Sequence, residues 1–212
     1  MEQSEKAAVK QVPESPHRVI LASSSPRRRE LLGKVIKSYV SIAPEGKEHS
    51  DEKNPAKMAA ELAERKAEEV AALNPGALVI GADTIVVSEG KVLGKPSNAE
   101  EAREMLLMLS GKEHTVYTGV CIVRGKDKNI FTAATGVRFR VLSVSEIEAY
   151  VRTGSSFDKA GGYGIQDCCF VTQVSGSYDN VVGLPTEELR ICLDGMPVSY
   201  THLRAHETGR NL

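Results

Sequence analysis

The chain has 212 residues, with 27 Lys and Arg against 28 Asp and Glu, a formal net charge of -1, 41% hydrophobic residues and no Trp. That is ordinary globular composition, at a length that buries roughly 70% of the unfolded surface and needs neither a disulfide nor a structural metal to fold. The near-neutral balance argues against a dedicated nucleic-acid binder, and no apolar run approaches the ~20 residues of a membrane span.

Residues 1–17 are polar, carry Pro13 and Pro16, lack the apolar segment of an export signal, and are expected to be a disordered extension. Arg18 to Ala22 is a short strand-like run, Ser23 to Pro26 a turn, and the following RRRELLGKVI a helix, with Ser25 placed to cap it and Pro26 at its first position. The charged stretch Pro44 to Pro55 is expected to be a mobile surface loop, and Ala56 to Leu73 a helix ended by Asn74-Pro75-Gly76. ALVIGADTIVV then forms an almost wholly apolar strand, and Ser88 to Lys91 turns it into VLGKP. Asn98 is expected to cap a helix to about Ser110, with Glu101 completing a capping box. Strands follow at Thr115 to Val123 and Phe131 to Leu142, then a helix over Ser145 to Thr153, a glycine-rich segment, a strand in CFVTQV, a turn in SGSYDN and a last helix from Pro185 to about Leu193. Interleaved helices and strands predict an α/β fold with a mixed sheet over residues 18–195. The tail, 196–212, has no apolar periodicity and is expected to be non-native or disordered.

Cys121 and Cys192 stand alone and Cys168 and Cys169 are adjacent, so no CxxC or His-x-His spacing offers a zinc site, and a reducing cytoplasmic setting fits. Three features carry chemistry. LASSSPRRRELL gathers three hydroxyls and three guanidiniums at a strand-to-helix turn, where backbone N–H groups and forked Arg donors suit a di- or triphosphate; a Ser-capped helix with a solvated basic face is the blander alternative. Asp83 interrupts an apolar strand, and a carboxylate there points to a metal ligand or general base, or to a buried Asp satisfied by backbone N–H groups. DKAGGYGIQ packs Asp158, Lys159, Tyr163 and Gln166 among glycines that permit close ligand approach, or simply forms a hairpin connection. Lys95 follows the next strand and can point at the same mouth or at solvent. Lys66 and Glu64 are indistinguishable from the charge pattern of a solvated helix, and His49 and His114 have no spaced partner.

Taken together, LASSSPRR, AERKA, GADTIVV, LGKPSNAEEAREMLLMLSGKEHTVYTGV, EIEAYVRTG, DKAGGYGIQ and NVVGLP, in that order, resemble the Maf-like nucleoside triphosphate pyrophosphatases from about Val19 to Leu193. The resemblance implies a two-lobed α/β fold with a central cleft, similar to inosine triphosphate pyrophosphatases, a divalent cation (Mg²⁺ or Mn²⁺) and a homodimer. It implies a phosphate-binding turn at Ser23, Arg27 and Arg28, catalytic roles for Asp83, Lys66 and Lys95, substrate contacts from Thr84 and Gln166, and metal binding by Glu48 and Asp83. GADTIV with DKAGGYGIQ is similar to the branch acting on dTTP and UTP, which implies release of pyrophosphate and the monophosphate in nucleotide-pool cleanup. The competing expectation is a nucleotide-binding regulator of cell division without significant turnover. Two positions depart from the pattern: Ser155 stands where Glu is usual, and GIQDCCFV is shorter than the usual segment, so Gln166 is expected to shift.

Overall fold

The computed structural model describes residues 18–46 and 49–196. The expectations for 1–17, Glu48 and 197–212 lie outside the described residues.

The chain begins with β1 (Val19–Ala22), buried throughout, as a strand covered on both faces must be. Ser25 caps α1 (Pro26–Gly33) by accepting the Arg28 N–H at 3.4 Å, with Pro26 in the first turn, where its missing N–H costs nothing. A short strand not expected from the sequence, β2 (Val40–Ile42), pairs in parallel with β1. Asn54 caps α2 (Pro55–Ala72), and β3 (Leu78–Ser88) returns beneath it. Glu89 and Gly90 both hold positive φ (49° and 76°), the requirement of a tight hairpin turn into β4 (Lys91–Leu93).

Asn98 caps α3 (Ala99–Leu109) as expected, but the capping box does not close. The Glu101 carboxylate accepts from Ser97 N and Oγ (2.8 and 2.6 Å) because Ser97 offers two donors one residue earlier. The long hairpin β5 (Glu113–Arg124) and β6 (Asp127–Phe139) leads to α4 (Val144–Arg152), where Ser143 and Glu146 do form a capping box. After a single 3₁₀ turn (Ala160–Gly162) come β7 (Val171–Ser175), α5 (Tyr178–Val182) and α6 (Thr186–Gly195). SGSYDN, expected as a turn, therefore opens a helix: the Ser177 side chain accepts the Asn180 N–H and starts one.

The described strands form one seven-stranded mixed sheet, ordered β2-β1-β3-β5-β6-β7, with β4 on the free edge of β3. β1 pairs in parallel with β2 and β3, and the remaining pairs are antiparallel. On one face Leu21, Ile80 and Ile122 pack against Leu31 of α1 and Leu189 of α6; on the other, Ile20, Val79 and Cys121 meet Ala63, Ala67 and Val70 of α2. The far ends of the long strands carry a separate cluster, in which Val86, Val137 and Phe139 pack on Leu106, Leu109 and Ile147 of α3 and α4. These clusters are the two lobes, and the long strands run through both.

Strand pairing opens the cleft between them. β5 lies along one edge of β3, while the other edge pairs with β1 up to Gly81 and with β4 from Val86. Between these limits, at residues 82–85, no described strand covers that edge. Asp83 and Thr84 therefore sit at a break in the sheet, beside the carboxyl end of β1, the position at which open α/β sheets take ligands.

Candidate active site

A cleft of about 450 Å³, within the size range of small-molecule sites, occupies this break. Two glycines set how closely α2 lies on the sheet beside it. In β3 and β5 the residues facing α2 include Gly81 and Gly119, and a Cβ at either would lie 2.4 Å from Ala63 O or 2.2 Å from Ala59 O. The helix backbone therefore lies directly on the sheet. Gly119 stands opposite Asp83 in register, so the same close approach lowers Lys66 onto the carboxylate, with Nζ 2.5 Å from Oδ1. The two side chains are only 11% and 10% exposed, a burial that charged groups tolerate when paired.

The phosphate-turn candidates form the adjoining wall. Ser23 is buried and its Oγ accepts the Ser25 N–H at 3.1 Å, which tightens the turn before α1. Arg28 crosses to the end of α5, where Nε donates to Gly183 O (2.8 Å) and Nη2 to Thr84 Oγ1 (2.9 Å). Arg27 reaches over the cleft to the other lobe, with Nη1 2.9 Å from Asp158 Oδ2 and Nη2 3.3 Å from its carbonyl. Burial works to raise the Asp158 pKa, but hydrogen bonds from Lys159 and Arg27 outweigh it and hold the carboxyl below its usual range. Lys159, itself buried, also donates to Ser155 O (2.7 Å) and lies 3.1 Å from Asp167.

Lys95 and Gln166 line the same cleft. The structure thus brings together Ser23, Arg27, Arg28, Lys66, Asp83, Thr84, Lys95 and Gln166 around one cavity. With the shortened segment after it, Gln166 still lines the cleft, and the Lys159–Asp167 ion pair joins the two ends of its loop. Two tyrosines brace it further: Tyr150 Oη accepts the Gly164 N–H at 2.9 Å, and Tyr163 Oη pairs with His114 Nε2 at 2.7 Å. His114 is buried, which lowers its pKa to about 4 and keeps the ring neutral.

Asp167, Thr118 and Asn180 were not expected from the sequence. Thr118 and Asn180 form a buried polar layer beneath Thr84. The signal for Thr118 was a hydroxyl in the middle of an apolar strand, and that for Asn180 its place at the head of NVVGLP; Asp167 gave none. Among the described residues no three His, Cys, Asp or Glu side chains cluster as a self-sufficient metal site. One buried carboxylate next to a phosphate-sized cavity does suit a cation that takes most of its remaining oxygens from substrate and water.

Cations from α1, α2 and the β4 end line one cleft together with a buried carboxylate, in a mixed α/β protein whose cleft suits a polyanion. Residues 18–196 match the Maf-like protein family, and the chain belongs to it. The chain is 51% identical to the dTTP/UTP pyrophosphatase of Symbiobacterium thermophilum, over 79% of this chain and 88% of that protein. Relatives of the same name from Thermococcus kodakarensis and Deinococcus radiodurans are 48% and 43% identical, over 80% and 88% of this chain and 92% and 96% of theirs. The solved structure of the Staphylococcus aureus Ham1 protein aligns at 13% identity with a TM-score of 0.48, covering 84% of this chain and 98% of that one.

Proposed function

We propose that the chain hydrolyses nucleoside triphosphates between the α and β phosphorus atoms, acting on dTTP, UTP and related or modified pyrimidine nucleotides. The observation that carries this reading is the buried Lys66–Asp83 pair facing the capped Ser23–Arg28 turn across one cleft. The names of the relatives support the choice of nucleotide.

In this reading the N-terminus of α1 and the Arg27 and Arg28 guanidiniums receive the phosphate oxygens, with Lys95 lining the same cleft. Arg27 exchanges its bond to Asp158 for one to phosphate. Asp83 orients the attacking water and accepts its proton, while Lys66, 2.5 Å away, fixes the position of that carboxylate. Mg²⁺ or Mn²⁺ held by Asp83 and Glu48 would neutralise phosphate charge and lower the pKa of bound water. The products are the monophosphate and pyrophosphate, in a cleanup role for the nucleotide pool. The reading includes a homodimer and a cytoplasmic setting, in keeping with four free cysteines and with the lack, among the described helices, of one long and apolar enough to cross a membrane.

The test is pyrophosphate release from a panel of triphosphates with Mg²⁺ or Mn²⁺. Asp83→Asn keeps the side-chain shape and an oxygen for Lys66 but removes the base, so kcat is expected to fall by ~10²–10⁴-fold. Near-native turnover in that variant would remove Asp83 from the role assigned to it.

A further inference from the structure

A row of alternating charges bridges the cleft. Arg27, at the start of α1, donates from Nη1 to Asp158 Oδ2 (2.9 Å) and from Nη2 to the Asp158 carbonyl (3.3 Å). The other carboxylate oxygen, Oδ1, accepts from Lys159 Nζ at 2.7 Å. Lys159 in turn lies 3.1 Å from Asp167 Oδ2 and donates to Ser155 O at 2.7 Å. Asp158 thus gives each carboxylate oxygen to a different cation, one from each lobe.

The two cations are held differently. The Lys159 side chain is 9% exposed and has Asp158, Asp167 and Ser155 O around it, so it stays on its own lobe whatever Arg27 does. Both hydrogen bonds of Arg27 go to Asp158. The Asp158 side chain is 59% exposed, against 23% for Arg27, which lines the cleft. When the pair opens, the carboxylate keeps Lys159 and gains water, and no uncompensated charge is left behind on that side. The guanidinium is the more buried half, and an anion must take the place of Asp158 on it.

A carboxylate and a phosphate are alternatives on one guanidinium fork, because each presents oxygens to the same pair of N–H groups. Here the fork is filled from within the chain. We propose that Asp158 is an internal competitor for the phosphates, holding Arg27 on its own oxygens and yielding it when a polyphosphate binds. This inference rests on the nucleotide reading above, in which Arg27 receives phosphate oxygens, and adds that Asp158 lowers affinity where a supporting residue would raise it. Lys159 makes the exchange reversible, since it keeps Asp158 in place to take Arg27 back as pyrophosphate leaves. A ligand whose site is available only part of the time loses affinity by that fraction, so Asp158 tunes the affinity of every ligand that uses Arg27.

The experiment measures, by calorimetry with Mg²⁺, the affinity of the α,β-methylene analogue of UTP, whose bridging carbon blocks cleavage. Asp158→Asn keeps an oxygen for Lys159 but gives up the charge that holds Arg27. The analogue is expected to bind about two- to fivefold more tightly, the scale of one partly exposed ion pair. Asp158→Ala, which leaves Arg27 no side-chain acceptor there, shifts affinity in the same direction. Two controls separate competition from a general loss of negative charge. Asp167→Asn removes a carboxylate from the same Lys159 without touching Arg27, and is expected not to tighten binding. In an Arg27→Gln background, Asp158→Asn is expected to have no effect; where Arg27→Gln itself abolishes binding, the Asp167 variant decides. Melting curves establish that each variant is folded.

Unchanged or weaker binding in the folded Asn and Ala variants overturns the proposal, because it gives Asp158 a supporting role in the site. Tightening of equal size in Asp167→Asn, or in the Arg27→Gln background, overturns it by assigning the gain to net charge. Wild-type protein that binds the analogue but releases no pyrophosphate from UTP refutes the hydrolytic reading alone. Wild-type protein that does not bind the analogue refutes both.

Discussion

Gly119→Ala adds one methyl group at the point where α2 lies closest to the sheet. Its Cβ would stand 2.2 Å from Ala59 O and 2.5 Å from Ala60 N, both backbone atoms of a helix that cannot flex locally. Relief to 3.0 Å, still a tight contact, requires α2 to retreat by at least the difference between 3.0 and 2.2 Å, that is 0.8 Å. Gly81 makes the same contact further along, with its would-be Cβ 2.4 Å from Ala63 O, so the helix moves as a body. Lys66 is carried on that helix, and its 2.5 Å bond to Asp83 lengthens or breaks. Overpacking of this kind costs about 1–3 kcal/mol, and at ~2–4 °C per kcal/mol for a chain of this size the Tm drops by ~2–12 °C. A displacement near 1 Å in a reacting group costs about 10²-fold in rate. The assay pairs a melting curve with kcat/KM for pyrophosphate release. Gly195→Ala, where nothing lies within 4 Å, is the control. A Gly119→Ala protein with native Tm and native kcat/KM would show that glycine is not what seats Lys66 on Asp83.

Other expectations concern protonation and thiol chemistry. His114 has an unfolded pKa of 6.5 and a folded value of about 4, so between these limits the unfolded chain binds more protons. Its contribution, about 3 kcal/mol, is complete above pH 6.5 and is lost as pH falls toward 4. His114→Gln, which keeps a polar partner for Tyr163, should show a shallower decline of Tm from pH 7 to 4; an equal decline would place the acid sensitivity elsewhere. Burial, with Glu64 nearby and Lys128 opposing, pushes the Cys121 thiol up to about 12, while Cys169 is exposed. A maleimide at neutral pH should label Cys169 first and Cys121 only on unfolding, as mass spectrometry of timed samples would show; early labelling of Cys121 contradicts its place between sheet and α2.

Much of the fold was legible because its signals are local. Ser25 and Pro26 announced the start of α1, Asn54 and Pro55 lie where α2 begins, and the apolar run around Asp83 announced β3, since caps, fixed φ values and burial patterns act between near neighbours. Motif order pointed to the cleft residues. The sequence misplaced what depends on distant partners. β2 is three residues long and exists because β1 offers it an edge. α5 has five residues, too few to be stable alone, and persists because Arg28, Thr118 and Thr135 each capture one of the carbonyls of Gly183, Asn180 or Ser177.

By itself the sequence determined the local elements, the family and the kinds of side chain available for polyanion chemistry. Only tertiary structure decided their pairing. Lys66 on α2 resembles any solvated helix lysine until glycines in two strands let that helix settle onto the sheet. Arg27 and Arg28 have identical side chains in adjacent positions, yet one spans the cleft to Asp158 and the other turns inward to Gly183. The direction in which the Thr118 hydroxyl donates is fixed by the Asn180 carbonyl, 62 residues further along and delivered by the packing of α5. A hydroxyl has no polarity of its own; its neighbours set the direction in which it donates, and the folded chain supplies those neighbours.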